Sequence, residues 1–348
     1  MARPDITVMG AGIFGLSIAW AAAKRGAKVR VIEARSIGAG SSGGPVGSLS
    51  PHVPEAWNPK KAFQLESLLM AQDWWEAVEK ASGLPSGYGR TGRLQPLADV
   101  RAVEIANTRA IQAQTLWQGR AVWQVLPTTG HAWEPQSPSG FMVRDSLTAR
   151  LNPMQALAAL AAAITSKGGE IIVGTAIPEG PIVWATGAPG LADLSASFAQ
   201  PVGSGVKGQA LLLRYVARDH PQLFVGGLHI VPHANGTVAI GSTSENQWTD
   251  PQATDAQLET LHQKAIAACP ALADAPMLTR WAGLRPRARS RAPMLGKWPD
   301  RPGHFIANGG FKIGFGMAPK VAEVMADLVL DGRDMIPEGF RVGANLQG

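Results

Sequence analysis

Three glycines and one glutamate near the start of the chain have the types and the spacing to hold a nucleotide. Gly10-Ala11-Gly12-Ile13-Phe14-Gly15 fits the pattern G-x-G-x-x-G, and Glu33 follows about twenty residues later. In such a pattern the first glycine permits a tight turn and the second lets the backbone approach a pyrophosphate. The third lets a helix pack closely on a strand. A carboxylate at the position of Glu33 accepts hydrogen bonds from ribose hydroxyls and repels a 2′-phosphate, which disfavours NADP.

That chemistry needs a strand, a turn, a helix and a second strand in close succession. Ile6 to Met9 is a short, β-branched run suited to a buried parallel strand. Ile13 to Arg25 reads as the helix, with its N-terminal N–H groups and positive dipole end facing the phosphates. Gly26 ends it, and Val29 to Ile32 forms the second strand, with Glu33 at its tip. A membrane anchor competes for the same stretch, but Ile13 to Ala23 falls well short of the ~20 apolar residues a spanning helix needs. A secretory leader would carry its positive charge ahead of the apolar run, whereas here Lys24 and Arg25 follow it. The expectation is a soluble, cytoplasmic protein without a membrane span.

The 348 residues allow two domains, or one large domain with an insertion. Hydrophobic content of 45% and charged content of 17% exclude a disordered chain. A single cysteine, Cys269, excludes an intrachain disulfide and a cysteine metal cluster, and no metal site is expected. Its expected role is helix packing. Of the eleven tryptophans, Trp57, Trp74, Trp75, Trp117, Trp123 and Trp133 fall in one stretch. Core or interface packing is their expected role, with a substrate cage as the alternative. The net charge of +6 allows anionic ligands. Arg280, Arg285, Arg287, Arg289 and Arg291 cluster without any nucleic-acid motif, and apart from Arg285 a solvated face is expected.

Beyond Glu33, a loop rich in glycine and serine runs from Ala34 to His52. Helical periodicity marks Ala62 to Ala81, Val100 to Trp117, Pro153 to Lys167, Asp255 to Ala268 and Met317 to Leu330. Ile171 to Val173 is a strand, and the apolar strand in "GPIVWATGAPG" breaks at Thr186-Gly187. From Gly208 to about Ser244, alternation and turn residues predict an antiparallel sheet. "WAGLRPRARSRAPMLG" and "GHFIANGGFKIGFGMAP" read as irregular. The fold class is therefore α/β (α+β overall), with a Rossmann-type nucleotide-binding domain interleaved with an antiparallel-sheet domain.

In this order, the fingerprint, "IVWATGA", "VKGQALLL", "HIVPHANGTVAIGSTSE", "WAGLRPRARSRAPMLG" and "NGGFKIGFGMAP" resemble the FAD-dependent D-amino acid oxidase superfamily over nearly the whole chain. The branch containing glycine oxidase, sarcosine oxidase and small D-amino acid dehydrogenases is the most similar. The resemblance implies an FAD-binding domain over residues 1–85, 142–205 and 280–348, and a substrate domain over 86–141 and 206–279. It places Gly10, Ala11, Gly12, Ile13, Phe14 and Gly15 at the FAD fingerprint, with Glu33, Ala34 and Arg35 at the ribose end. Ser41, Ser42, Val46 and Gly47 fall beside the phosphates and flavin, and Val173 falls where a backbone amide meets the adenine. Ala185, Thr186 and Gly187 match the second flavoprotein motif, and Gly310, Phe311, Ile313 and Gly314 match the loop that wraps the flavin.

The same resemblance implies oxidation of a small amino acid or secondary amine (glycine, sarcosine or a D-amino acid) by hydride transfer to flavin N5. Arg285 falls on the arginine that grips the substrate carboxylate, a task suited to a guanidinium fork. The sequence departs from the pattern at His229, where a tyrosine is common, and at Lys312, where the glycine oxidase branch has arginine. His229 is placed either to meet the substrate or to stand as a satisfied core histidine, and Lys312 to serve carboxylate binding or oxygen reduction. The segment Gly174 to Gly180 is shorter than the usual hairpin. With no cysteine near the flavin loop, FAD is expected to be noncovalent. Electrons pass to oxygen or to a quinone or protein acceptor, and an oligomer is compatible with the sequence. Two alternatives stand beside this: a tRNA wobble-uridine-modifying flavoenzyme, and a flavoprotein subunit of a hetero-oligomeric dehydrogenase.

Overall fold

A computed structural model of the chain describes residues 3–346. The outermost two residues at each end of the expected FAD-binding ranges therefore lie outside the described residues. The chain opens with β1 (Ile6–Met9), α1 (Ile13–Lys24), β2 (Val29–Glu33), β3 (Ser48–Leu49) and α2 (Pro59–Ser82). It continues through β4 (Arg93–Pro96), α3 (Val100–Leu116), β5 (Trp123–Pro127), β6 (Phe141–Asp145), β7 (Ala149–Arg150) and α4 (Pro153–Ser166). Next come β8 (Glu170–Val173), β9 (Ile182–Trp184), α5 (Gly187–Ser197), β10 (Gly203–Arg214), β11 (Gln222–Val225), β12 (Leu228–Pro232) and β13 (Thr237–Gly241). The remainder is α6 (Ala256–Ala268), β14 (Met277–Ala288), β15 (Met294–Lys297), β16 (His304–Asn308) and α7 (Gly314–Asp331).

β1 is the centre of a six-stranded sheet of order β15-β16-β9-β1-β2-β8. It runs parallel to β2 and to β9, as a β-branched strand buried on both faces should. α1 is buried from Ile13 to Ala23, and its alanines let it sit closely between β1, α4 and α7. An eight-stranded sheet of order β14-β10-β13-β12-β11-β4-β6-β5 forms the second layer. Its strands come from several separated stretches of sequence, so the two sheets interleave in chain order. The expected antiparallel pairing holds for β10 to β13, but β4 joins β11 in parallel.

The largest departure is β14. "WAGLRPRA" reads locally as a glycine- and proline-broken loop, yet it belongs to a twelve-residue strand paired along almost all of β10. β14 is the sheet's edge, where Pro286 removes no ladder bond that a further strand needs. A second departure is the closing helix, which begins at Gly314, three residues ahead of the expected Met317. Trp74, Trp75, Trp117, Trp123 and Trp133 are buried in the hydrophobic core, and Trp57 packs against it. Cys269 is buried at the end of α6, and burial pushes its thiol up to about 11. Among the described residues, no helix is long and apolar enough to cross a membrane.

Candidate active site

A cavity of about 1270 Å³ lies between the two sheets. Met9 and Ile32 line it from the six-stranded sheet, and Ala210, Phe224, His229 and Trp281 from the eight-stranded one. Its nucleotide end is set by the three glycines, each for a different reason. Gly10 has φ +104°, in the region that side chains disfavour, and a Cβ there would lie 2.6 Å from the carbonyl oxygen of Ala185. Gly15 packs on the turn itself, and a Cβ would lie 1.9 Å from the Gly10 oxygen. Gly12 faces the cavity, where a Cβ would meet only the Ser42 side chain, at 3.2 Å.

Three helices, α1, α5 and α7, point their N-termini at this cavity. Residues of their first turns line it: Ile13 and Phe14, Gly187 to Pro189, and Gly314 to Gly316. None of the three is capped by the side chain of its own N-cap residue, and none has an acidic residue in its first turn. By contrast, α2, α3, α4 and α6 are capped by Asn58, Asp99, Asn152 and Asp255. An uncapped N-terminus leaves backbone N–H groups and a positive dipole end for an anion. Three of them on one cavity suit a pyrophosphate and a second site of developing negative charge.

The Glu33 carboxylate is held by two backbone amides, accepting from Ala11 N–H at 2.8 Å and from Arg35 N–H at 3.0 Å. This fixes its direction into the cavity, beside Ala34 and Arg35. The Ser42 hydroxyl accepts the Ile13 N–H at 3.0 Å and so ties the serine loop to the start of α1. Ser41, Val46, Ala185, Thr186, Gly310, Phe311 and Ile313 also line the cavity. The donor set, the glycine approach and the Glu33 carboxylate directed into the cavity fit a dinucleotide cofactor.

Four expected residues do not line the cavity. The side chain of Ala11 is fully buried, and only its amide contributes, by steering Glu33. Gly15 serves packing. Gly47 lies against Leu151, whose carbonyl oxygen a Cβ would meet at 1.9 Å. Val173 ends the edge strand β8 and is 56% exposed, and the chain turns at Gly174 (φ +122°) so that Gly174, Thr175 and Ala176 line the cavity instead.

At the other end, Arg285 extends from β14 and is 7% exposed. Its Nη1 donates to the Thr243 carbonyl oxygen at 3.2 Å, and among the described residues no carboxylate is in ion-pair contact. Burial lowers its pKa to about 10, opposed in part by the charge of Glu245. The guanidinium crosses β10 at Gly208, where a Cβ would lie 1.7 Å from Nη2. Lys312 has a lowered pKa, from burial and from the Arg285 charge, and its Nζ is 5.7 Å from the centroid of the Phe311 ring. His229 packs tilted against Phe224 with centroids 4.6 Å apart, and its Nδ1 has no hydrogen-bond partner among the described residues. Burial and the charges of Arg93 and Lys312 lower its pKa to about 3, so it is a neutral imidazole.

Three further cavity residues are not among the site residues expected from the sequence. Trp281 lays its indole across Gly283 and Gly44, at 2.5 Å and 3.1 Å from where their Cβ atoms would be. It is the cavity's tryptophan; none of the six in the tryptophan-rich stretch lines it. Asn308 donates to the Gly187 carbonyl oxygen at 2.9 Å and accepts from Gly309 N–H at 2.8 Å, joining the start of α5 to the loop before α7. A polar residue closing the apolar strand "HFIAN" was the one available hint. Arg93 reaches the cavity from β4.

His233 shares the electrostatic situation of His229: burial and the Arg150 charge lower its pKa to about 4. In the unfolded chain both imidazoles take up a proton near 6.5, whereas the folded chain resists it. The unfolded state therefore binds more protons as pH falls. Stability is expected to drop between pH 6.5 and 4 by on the order of 1.4 kcal/mol per pH unit for each histidine. Thermal melts across that range check this, and His229→Gln should flatten part of the slope. A midpoint constant from pH 7 to 5 would contradict it.

A family model described as FAD dependent oxidoreductase matches residues 5–328. The chain is similar to the bifunctional protein ThiO/ThiG of a Nostoc species, with 27% identity over 94% of this chain. It spans about half, 53%, of the length of that relative. It is 24% identical to a glycine oxidase of Geobacillus kaustophilus, covering 94% of this chain and 93% of the relative. The crystal structure of glycine oxidase from Geobacillus kaustophilus has the same fold, with a TM-score of 0.83 at 23% identity, covering 98% of this chain and 99% of that one.

Proposed function

The chain belongs to the family of FAD dependent oxidoreductases, and from that premise we propose that it oxidises the C–N bond of a small amino acid or secondary amine. The observation that carries this is Arg285: a buried guanidinium, without a carboxylate partner among the described residues, on the face of the sheet that lines the cavity. A buried cation without an ionic partner is costly, and a ligand carboxylate held in the guanidinium fork compensates it.

Residues of the six-stranded sheet and its helices would hold FAD noncovalently, through the glycine turn, Glu33, the serine loop and the α5 and α7 N-termini. Residues of the eight-stranded sheet would hold the substrate, and this is the division of labour we assign to the two expected domains. Bound FAD supplies the acceptor for a hydride from the substrate carbon. The chain's own groups orient that carbon. Arg285 fixes the carboxylate, which leaves only rotation about the bond to the amine-bearing carbon. His229, being neutral, offers a lone pair or an N–H to the substrate amine without adding positive charge beside it. The uncapped start of α7 stabilises negative charge that develops near it. No side chain is required as a dedicated base if the amine arrives unprotonated.

The test is anaerobic addition of glycine, sarcosine, D-alanine or D-proline to the purified protein while following its visible flavin absorbance. Bleaching by at least one of them is expected, and readmission of air then separates an oxidase from a dehydrogenase by the rate at which colour returns. A flavin-loaded protein that no carboxylate-bearing amine reduces would overturn the reading.

A further inference from the structure

The eight-stranded sheet brings a second arginine to the same face as Arg285. Residues paired across neighbouring strands point to one face, as do residues two apart along a strand. Arg93 is paired with Gln222, and Phe224, two residues on, is paired with His229. His229 is paired with Gly241, Gly241 with Ala210, and Ala210 with Trp281. Gly283 and Arg285 follow Trp281 at steps of two. One face therefore carries Arg285 at one end of a row and Arg93 at the other, five strands apart. Between them the Arg285 guanidinium lies over Gly208 and the Val46 side chain over Gly241, and Ala210, Phe224, His229 and Trp281 line the one cavity that both arginines reach.

Arg93 is built as an anchor. It is 6% exposed, and its Nε donates to Asp145 Oδ2 at 2.9 Å. Asp145 is fully buried, and its other oxygen accepts the Thr148 N–H at 2.8 Å, so the carboxylate cannot swing. The Arg93 guanidinium carbon sits 5.4 Å from the centroid of the Phe224 ring, whose other neighbour is His229. With Nε engaged, the two terminal nitrogens have no hydrogen-bond partner among the described residues, and Arg93 lines the cavity. Other buried cations are spent elsewhere: Lys207 faces Glu245 and Asp255, and Arg150 donates to the carbonyls of Gly87 and Arg218.

We propose that the substrate carries a second anionic group, and that Arg93 holds it while Arg285 holds the carboxylate next to the amine. This rests on the function proposed above and narrows its substrate class. The substrate is an amino acid or secondary amine with a further carboxylate at the far end of its side chain or N-substituent. The Lys312 charge, which acts on His229 and is itself opposed by that of Arg285, adds to the same positive field.

The experiment titrates the FAD-loaded protein with unreactive acids and follows the perturbation of its flavin absorbance. The dicarboxylates malonate, succinate, glutarate and adipate are compared with monocarboxylates of matched length. At one chain length the dicarboxylate is expected to bind about tenfold or more tightly than its monocarboxylate. In Arg93→Lys, which keeps a charge opposite Asp145 but loses the fork, that ratio should fall towards one with monocarboxylate affinity unchanged. The double variant Arg93→Met/Asp145→Asn, which removes both buried charges together, provides the same comparison if the lysine variant does not fold. No dicarboxylate preference in the unaltered protein, or a preference that survives either variant, would overturn the proposal. If monocarboxylates bind and glycine or sarcosine bleaches the flavin, the broader function stands without it. If neither kind of acid perturbs the flavin, the broader function fails first.

Discussion

Replacing Arg285 by methionine should leave a folded, flavin-binding protein whose kcat/KM for a carboxylate-bearing amine is lower on the order of a thousandfold. The fold should survive because Arg285 contributes little to it. Among the described residues its one side-chain hydrogen bond is to the Thr243 carbonyl oxygen and it has no ionic partner, and burial already disfavours its charge. Removing such a group relieves a desolvation cost. The loss should be specific to the carboxylate, so a slow amine substrate without one should be oxidised at nearly the unaltered rate. Gly208→Ala tests the same geometry from the opposite side. A Cβ 1.7 Å from Nη2 must push the guanidinium away, and because the obstructed atom is the end of a flexible side chain, the sheet itself need not move. The alanine variant should therefore reproduce most of the methionine phenotype with Arg285 still present. Equal losses for substrates with and without a carboxylate, together with a lower melting temperature, would make Arg285 a structural residue and remove the main support for the proposed function.

The contrast between Arg285 and Arg93 shows where the sequence is informative. The first βαβ unit is legible because its constraints are local: a glycine turn, a helix and an acid at a strand end all fall within about thirty residues. Arg285 is visible as part of a motif, although the motif's local pattern suggests a loop; only the length of β10 as a partner makes β14 a strand. Arg93 stands on a four-residue strand between turns, with nothing near it in sequence to mark it. Its placement comes from pairing with β11, a strand more than a hundred residues away, and from the buried Asp145 on β6. Val173 differs in another way. The strand is where the pattern puts it, but the glycine at position 174 turns the chain, and Gly174, Thr175 and Ala176 are the residues that line the cavity there.

The three glycines of the fingerprint offer the sharpest separation of folding from binding, and Gly15→Ala should be the most damaging single substitution of the set. A Cβ at Gly15 would lie 1.9 Å from the Gly10 oxygen, 3.0 Å from the Gly10 carbonyl carbon and 3.3 Å from Val8 Cγ1. The first two are backbone atoms of the turn, and that turn is fixed by Gly10 N–H donating to the Ile32 oxygen at 2.8 Å. Relief requires α1 to move off β1, yet α1 is buried along almost its whole length between the sheet and two other helices. The expected cost is about 3 kcal/mol or more, comparable to overpacking in a rigid core, with loss of FAD retention during purification. Gly12→Ala should behave differently. Its Cβ would meet only the Ser42 side chain, so the chain should fold with a melting temperature close to that of the unaltered protein without cofactor. The methyl group would stand where a pyrophosphate must approach, and FAD affinity should fall about tenfold to a hundredfold. Melting curves with and without added FAD distinguish the two variants. Gly12→Ala should lose mainly the FAD-dependent rise in midpoint, whereas Gly15→Ala should lose the midpoint itself. If both variants were equally unstable without FAD, Gly12 would be a packing glycine like Gly15, and the cavity's nucleotide end would need to lie elsewhere.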